Sequence, residues 1–310
     1  MRVLASLAGS KPMTTESNPP PETTSADAPV IVLRSRPQPG TARVVAIASG
    51  KGGVGKTNIA ANFALALGRL GLRVLAVDAD LGLANLDIVL GLAPGPTSAD
   101  VVSGAVAIED ALVPGPHDVW LLPGASGDFD AANLADVQRH ELFSAIDTLD
   151  ERFDTVVLDT GSGLGPSTLG FCAAAAETML VVTADPTGLC DALATLRVLR
   201  RRHHVRDVKV TASLVGDHTE GLALFEKLER EALRALDVRL EYLGAVPFDP
   251  HVGRAIMRGL PVSEAYPNSD SSVAIGGLAQ RFLESTHRDT RSGATQIFWR
   301  RLLRQQGAGQ

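Results

Sequence analysis

From Arg43 onward, near-continuous apolar runs alternate with stretches in which apolar residues return every three or four positions. The runs at 43–49, 73–78, 118–122, 154–159, 178–183, 207–215 and 240–246 read as strands buried on both faces. The three-to-four spacing falls at 56–70, 130–149, 187–203, 219–236 and 272–285, which predicts helices. Alternation sustained over this length predicts an α/β fold: one doubly wound, mainly parallel sheet with helices on both faces, three layers in all. Ligands on such sheets sit at the carboxyl ends of the strands.

The flanks break the pattern. Residues 8–42 are rich in Pro, Ser, Thr, Glu and Ala and hold no sustained apolar period, which predicts a disordered tail. The reading is a tail over 1–42, a single domain over 43–286, a polar linker over 287–295 and a short helix over 296–305. On a helical wheel, Phe298, Trp299, Leu302 and Leu303 share one side and Arg300, Arg301 and Arg304 the other. A short basic amphipathic helix with an interfacial aromatic suits an anionic membrane surface. A terminal helix packed on the domain is the alternative.

Composition narrows the setting. Hydrophobic residues make up 45% and charged residues 21% of the 310, ordinary for a globular protein. No apolar run is long enough to span a bilayer, and Met1 to Leu7 lacks the apolar core and cleavage site of a secretion signal. Two cysteines, Cys172 and Cys190, without a CxxC, suit a reducing cytoplasm and read as buried structural thiols. A formal charge of −6 argues against nucleic acid as the main partner. The run Arg200-Arg201-Arg202-His203-His204 closes a predicted helix, where cations complement the dipole.

Chemistry enters between the first predicted strand and helix. Gly50, Lys51, Gly52, Gly53, Val54, Gly55, Lys56 and Thr57 form a glycine loop of the phosphate-binding spacing, and Asn58 opens the helical pattern behind it. Glycines let backbone N–H groups turn inward around a phosphate, with the helix N-terminus behind them. Lys56 is placed to reach the β- and γ-phosphates and Thr57 to put its hydroxyl on Mg²⁺. Lys51 is a second lysine that an ordinary phosphate loop does not need.

Two further strands end in acids. The second closes on Asp78-Ala79-Asp80, whose carboxylates at i and i+2 point to one side of an extended chain. One can serve Mg²⁺ through water and the other can orient an attacking water; a solvated turn is the plainer alternative. The run Thr155-Val156-Val157-Leu158 closes on Asp159, the Walker B arrangement that holds Mg²⁺. Thr160-Gly161-Ser162-Gly163 comes next, a candidate switch loop that a γ-phosphate would order.

Lys51, the Asp78/Asp80 strand and Asp159 together resemble the deviant Walker A ATPases of the MinD and ParA group. Asp78 to Asp87, Leu122 to Gly127, Leu158 to Gly163 and Pro247-Phe248-Asp249 are similar to the flagellar-number regulators FlhG, also called FleN. The resemblance covers about residues 43–285. It implies ATP and Mg²⁺ as cofactors, slow and partner-stimulated ATP hydrolysis, and an ATP-dependent homodimer in which Lys51 crosses to the nucleotide of the other subunit. Lys56 and the loop amides would bind phosphate, Thr57 would ligate Mg²⁺ directly and Asp159 through water. Asp80 would position the hydrolytic water with Asp78 supporting it. Asp191 would support Lys51 in one nucleotide state, and Pro247 to Asp249 would lie near the adenine. The implied setting is the cytoplasm with peripheral inner-membrane association, and the implied partners are a flagellar GTPase like FlhF or a flagellar transcription regulator.

The chain departs from the pattern in three places. Ser213 stands where the family usually has an asparagine that reads the adenine. The loop from Ala184 to Thr187 is one residue shorter. Residues 1–42 hold no Asp-Gln-Ala-x-x-Leu-Arg element, which activates the partner GTPase in many FlhG proteins. A DNA-partitioning ATPase of the ParA type, a metallocluster ATPase related to the nitrogenase iron protein, and a regulator that binds ATP with scant turnover are the competing readings. The tail favours a membrane over DNA.

Overall fold

The computed structural model describes residues 42–127, 136–205 and 208–285. Residues 1–41, 128–135 and 206–207, and everything after Ser285, lie outside the described residues, and with them the expected disordered tail, linker and amphipathic helix.

Eight strands form one sheet: β1 (Arg43–Ser49), β2 (Val74–Ala79), β3 (Val113–Pro114), β4 (Val119–Leu122), β5 (Thr155–Ser162), β6 (Glu177–Thr183), β7 (Val208–Val215) and β8 (Leu240–Pro247). Their order is β3-β4-β2-β5-β1-β6-β7-β8. Every pairing is parallel except that of β3 with β4 at one edge. β1 lies centrally, and the chain winds from it in both directions, the doubly wound topology expected from the sequence.

The two layers flanking the sheet follow from the strand period of two. Val44, Ala46 and Ala48 of β1 enter one core cluster, and Val45 and Ile47 enter the other. On the first face pack α5 (Asp136–Asp147), α6 (Pro166–Ala174), α7 (Pro186–His203) and α8 (His218–Leu236). On the second pack α1 (Lys56–Arg69) and α11 (Asp270–Glu284), where Phe63 meets Phe282 edge to face at 5.3 Å. Short helices α2 (Leu86–Leu90), α3 (Ser98–Val102), α4 (Ile108–Ala111), α9 (Pro250–Met257) and α10 (Val262–Ala265) fill the connections.

The seven predicted strands are present, each within a few residues of its expected ends. β5 runs on to Ser162 rather than stopping at Asp159, because the ladder continues past the acid: Ala79 pairs with Thr160 and Ser49 with Ser162. The Thr160 hydroxyl also donates to the Ile47 carbonyl at 2.9 Å. The helix α6 escapes a search by period because Pro166-Ser167-Thr168-Leu169-Gly170-Phe171-Cys172-Ala173-Ala174 is apolar nearly all round. Cys172 is buried as expected, whereas Cys190 near the start of α7 is exposed.

Candidate functional site

The phosphate loop forms where the sequence places it, between β1 and α1. The Ser49 hydroxyl donates to the Lys51 carbonyl at 2.8 Å, which tightens the first turn. Gly55 caps α1 with φ 85°, a left-handed conformation that costs a side chain but not glycine. Gly50 is required for another reason. A Cβ there would stand 2.5 Å from the Asp191 carbonyl carbon, so α7 packs directly on the loop backbone. Asn58 lies in the first turn of α1, its carbonyl accepting from the Asn62 amide at 2.8 Å.

Lys56 is buried, and its ammonium donates to Asp159 Oδ1 at 2.8 Å. Asp159 is 1% exposed, and its second oxygen, Oδ2, is buried with no hydrogen-bond partner. Burial pushes the Asp159 carboxyl upward, and the Lys56 ammonium opposes that without cancelling it. Asp78 is the Cα partner of Asp159 across the β2–β5 ladder. Two buried carboxylates on neighbouring strands repel, so burial and then the Asp159 charge carry the Asp78 carboxyl up to about 7. Such a pair costs stability and marks this edge as the candidate site.

Asp78 is also the organiser of the loop that comes after it. Its Oδ1 accepts from the Asp80 N–H at 3.2 Å, and its Oδ2 accepts from the N–H groups of Asn85 and Leu86 at 2.9 and 2.8 Å. Those two amides open α2, so the carboxylate caps that short helix from a distance in sequence. Asp80 is left at the rim, its carboxylate beside Gly161 and near enough to Asp159 to add to its upward shift. The segment after Asp159 is strapped to the loop strand by the Thr160 bond and by the Gly163 N–H, which donates to the Ser49 carbonyl at 2.9 Å.

The chemistry fits Mg²⁺ shared with a polyphosphate. An orphaned carboxylate oxygen on Asp159 faces this region, Thr57 lies close enough to affect that carboxyl, and the donors are all oxygen. Among the described residues no cluster of three or more His, Cys, Asp or Glu could hold a metal alone.

On the other side of β1 the acids do different work. Lys51 donates to Asp185 Oδ2 at 2.8 Å. Asp185 is the N-cap of α7, accepting from the Gly188 N–H at 2.9 Å and from the hydroxyls of Thr183 and Thr187 at 2.5 Å each. Lys51 first, then those donors, hold its carboxyl far below the usual carboxylate range. In this structure the partner of Lys51 is Asp185, and the backbone of Asp191, expected to support Lys51 in one nucleotide state, lies against Gly50. The signal for Asp185 was in the sequence, since Asp-Pro-Thr is an N-cap with proline at N1.

Pro247 ends β8. Asp249 caps α9, with Oδ1 accepting from the backbone N–H of His251 at 2.8 Å and lying 2.8 Å from its Nδ1. Its Oδ2 accepts from the Ser271 N–H and hydroxyl at 3.1 and 2.7 Å. Ser213 is buried in β7, and its hydroxyl donates to the Val54 carbonyl of the phosphate loop at 2.7 Å. Phe298, Trp299, Arg300, Arg301, Leu302, Leu303 and Arg304 lie outside the described residues; no described helix is long and apolar enough to cross a membrane.

Comparison with known proteins bears on this geometry. Residues 45–262 match the CobQ/CobB/MinD/ParA nucleotide binding domain. The chain is 42% identical to the antiactivator FleN of Pseudomonas aeruginosa over 77% of its own length and 85% of FleN. It is 30% identical to the flagellum site-determining protein YlxH of Helicobacter pylori over 86% of this chain and 92% of that one. Its fold is similar to the cell division ATPase MinD of Pyrococcus furiosus, with a TM-score of 0.67 and 30% identity, covering 79% of this chain and 99% of MinD. It is likewise similar to MinD of Pyrococcus horikoshii complexed with Mg-ADP, with a TM-score of 0.66 and 29% identity, covering 80% and 100%. The chain belongs to the CobQ/CobB/MinD/ParA nucleotide-binding family, and it is an ATPase of the MinD/ParA type.

Proposed function

We propose that this chain is an ATP-gated switch that dimerises with ATP, attaches to the membrane as a dimer and regulates flagellar number or placement. The observation that carries the reading is that both loop lysines rest on carboxylates of the chain itself, Lys56 on Asp159 and Lys51 on Asp185. A triphosphate offers each a stronger anion. Lys56 turns to the β- and γ-phosphates, with the loop amides and Thr57 around them, and this releases Asp159. Mg²⁺, when bound, neutralises phosphate charge and would be held by Thr57 and Asp159, with Asp78 behind them. Asp80, at the rim beside Gly161, orients the attacking water. Lys51 leaves Asp185 and crosses to the nucleotide of a second copy, so the loop reports triphosphate to the dimer face.

Dimerisation pairs two amphipathic tails. One eight-residue helix binds an anionic surface weakly, and two on one body bind far better through effective concentration. The similarity to FleN and YlxH supports the flagellar setting; the protein partner in this reading is a flagellar GTPase or a transcription regulator. The test is sedimentation with anionic liposomes in ATP, in ADP, and for a version ending at Gly293. Pelleting in ATP alone, lost on truncation, is the expected result. No pelleting in any state overturns the membrane step and turns attention to DNA as the surface.

A further inference from the structure

We propose that the arginine-rich end of α7 is a second membrane contact, which seats the amino edge of the sheet on an anionic lipid surface beside the tail helix expected over 296–305. The inference rests on the membrane step proposed above and adds to the tail a surface on the folded domain.

Helix α7 gathers its cations at one end. From Ala192 to His204 the chain carries Arg197, Arg200, Arg201, Arg202, His203 and His204 and no acid. Arg197, Arg201 and Arg202 are exposed. Among the described residues none of the four arginines forms an ion pair. The C-terminus of a helix offers about half a negative charge, so the dipole answers only a small part of this positive charge. Packing does not account for the arginines either: the buried side chains of the same stretch are Ala192, Thr195, Leu196 and Leu199.

The fold puts this end where the tail leaves. Helix α7 starts after the carboxyl end of β6 and finishes shortly before β7 begins, so its last turns lie at the amino edge of the sheet, opposite the phosphate loop. At that edge Arg43, the first residue of β1, lies over the Phe282 ring at 3.6 Å. It donates to the Phe282 carbonyl at 2.6 Å and to the Ser285 hydroxyl at 2.8 Å, which pins Ser285 there. Buried charges continue from this point toward α7. Arg43 donates to Glu177 Oε2 at 2.8 Å, and Lys209 Nζ lies 3.1 Å from the same oxygen. Lys209 is the second residue of β7, a few positions after the end of α7. Residues 286–296 span at most about 35 Å, so the expected tail helix can lie on the same surface as the arginines. The tail also decides between lipid and nucleic acid. Phe298, Trp299, Leu302 and Leu303 need an apolar medium, which a bilayer offers beneath its headgroups and a DNA duplex does not.

The experiment is sedimentation of the full-length chain, in ATP and Mg²⁺, with vesicles of phosphatidylcholine containing or lacking phosphatidylglycerol. Two triple variants are compared with the parent: Arg197→Gln, Arg201→Gln, Arg202→Gln together, and lysine at the same three positions. An arginine near an anionic surface is worth about fivefold in partitioning. The glutamine variant should therefore bind the anionic vesicles about 10²-fold more weakly than the parent, and the lysine variant within about threefold of it. The difference should vanish on phosphatidylcholine alone, and unstimulated ATPase activity should match the parent in both variants. If the parent pellets, the version ending at Gly293 does not, and the glutamine variant binds as tightly as the parent, this inference is overturned and the membrane step stands. No pelleting of the parent overturns both. A glutamine variant that keeps its vesicle binding and loses binding to duplex DNA reassigns the patch to nucleic acid. A lysine variant as weak as the glutamine one shows that the arginines act through the fold and not through surface charge, and this too overturns the proposal.

Discussion

On the two sides of β1, the same residue type at the same edge of the sheet is driven in opposite directions. Toward β5 and β2, Asp159 and Asp78 are buried side by side and their carboxyls are pushed up. Toward β6 and β8, Asp185 and Asp249 are pushed down. Position along the strands does not explain the split: on one side burial and the neighbouring charge outweigh the donors, and on the other the donors around the oxygens prevail. Asp185 and Asp249 sit at helix N-termini, where amides and hydroxyls answer both oxygens. Asp159 has one oxygen on Lys56 and one unanswered, and Asp78 has a like charge across the ladder. One half of the edge keeps a buried carboxylate oxygen unanswered beside a lysine, and in the other half both oxygens of each acid are hydrogen-bonded.

The most direct way to break this comparison is at Lys56. Lys56→Ala removes the phosphate ligand and also leaves Asp159 buried without its counter-charge. ATPase activity, as kcat/KM, should fall by about 10³-fold. The nucleotide-free protein should lose about 3 kcal/mol of unfolding free energy, read by denaturant titration. A variant as stable as the parent would mean that Asp159 is not charged beside Lys56, and that half of the edge would lose its distinguishing feature.

Asp80→Ala tests the rim of that half. Asp80 is neither a cap nor paired with a lysine in the bonds described, so its loss should touch turnover and not the fold. We expect kcat to fall by about 10²-fold with nucleotide affinity within about twofold of the parent. Loss of affinity with kcat preserved would place Asp80 among the binding groups.

Asp78→Asn sharpens the comparison through pH. The folded carboxyl titrates at about 7 against 3.8 unfolded. Between these values the folded state holds a proton that the unfolded state has lost, so this group adds stability as pH falls from 7 toward 4 and withdraws it as pH rises. The asparagine variant lacks that slope. The difference in unfolding free energy between parent and variant should therefore change by about 2 kcal/mol from pH 5 to pH 7.5, with the parent losing ground as pH rises. A flat difference would show that the three backbone donors on Asp78 already offset its burial.

How much of this was legible in the sequence tracks the same division. Strand, glycine loop and helix were readable because each carries a local signature: β-branched runs, Gly50 to Gly55, and the apolar spacing after Lys56. Asp159 was readable because an acid closing an apolar strand is out of keeping with its neighbours. The roles of Asp191 and Asp249 were not settled by such cues. A carboxylate beside a proline reads equally as a helix cap and as a ligand group, and only packing decides which. Without nucleotide, α7 presses the Asp191 backbone on Gly50 and Lys51 reaches Asp185, the cap of that helix. The short helices α2, α9 and α10 were missed because a single turn or two has no period to detect.

The smallest predicted effect falls on the capping half, at Asp249. Its side chain joins the N-terminus of α9 to Ser271 in the first turn of α11, so Asp249→Ala removes donors' partners on two helices at once. The loss of one cap is about 1 kcal/mol, and thermal unfolding should register a shift of that order. Burial alone would raise this carboxyl, and the His251 and Ser271 donors hold it below its ordinary value, so the stability it supplies is present at neutral pH and is lost as pH falls through the folded value. The parent and the alanine variant should therefore converge in stability under strong acid. Nucleotide affinity, measured well below the unfolding temperature, should change by no more than about twofold, because both Asp249 oxygens already face protein donors. A large drop in affinity with the unfolding temperature unmoved would return Asp249 to the nucleotide, the place its motif suggests, and would erase the division between the two halves of the edge.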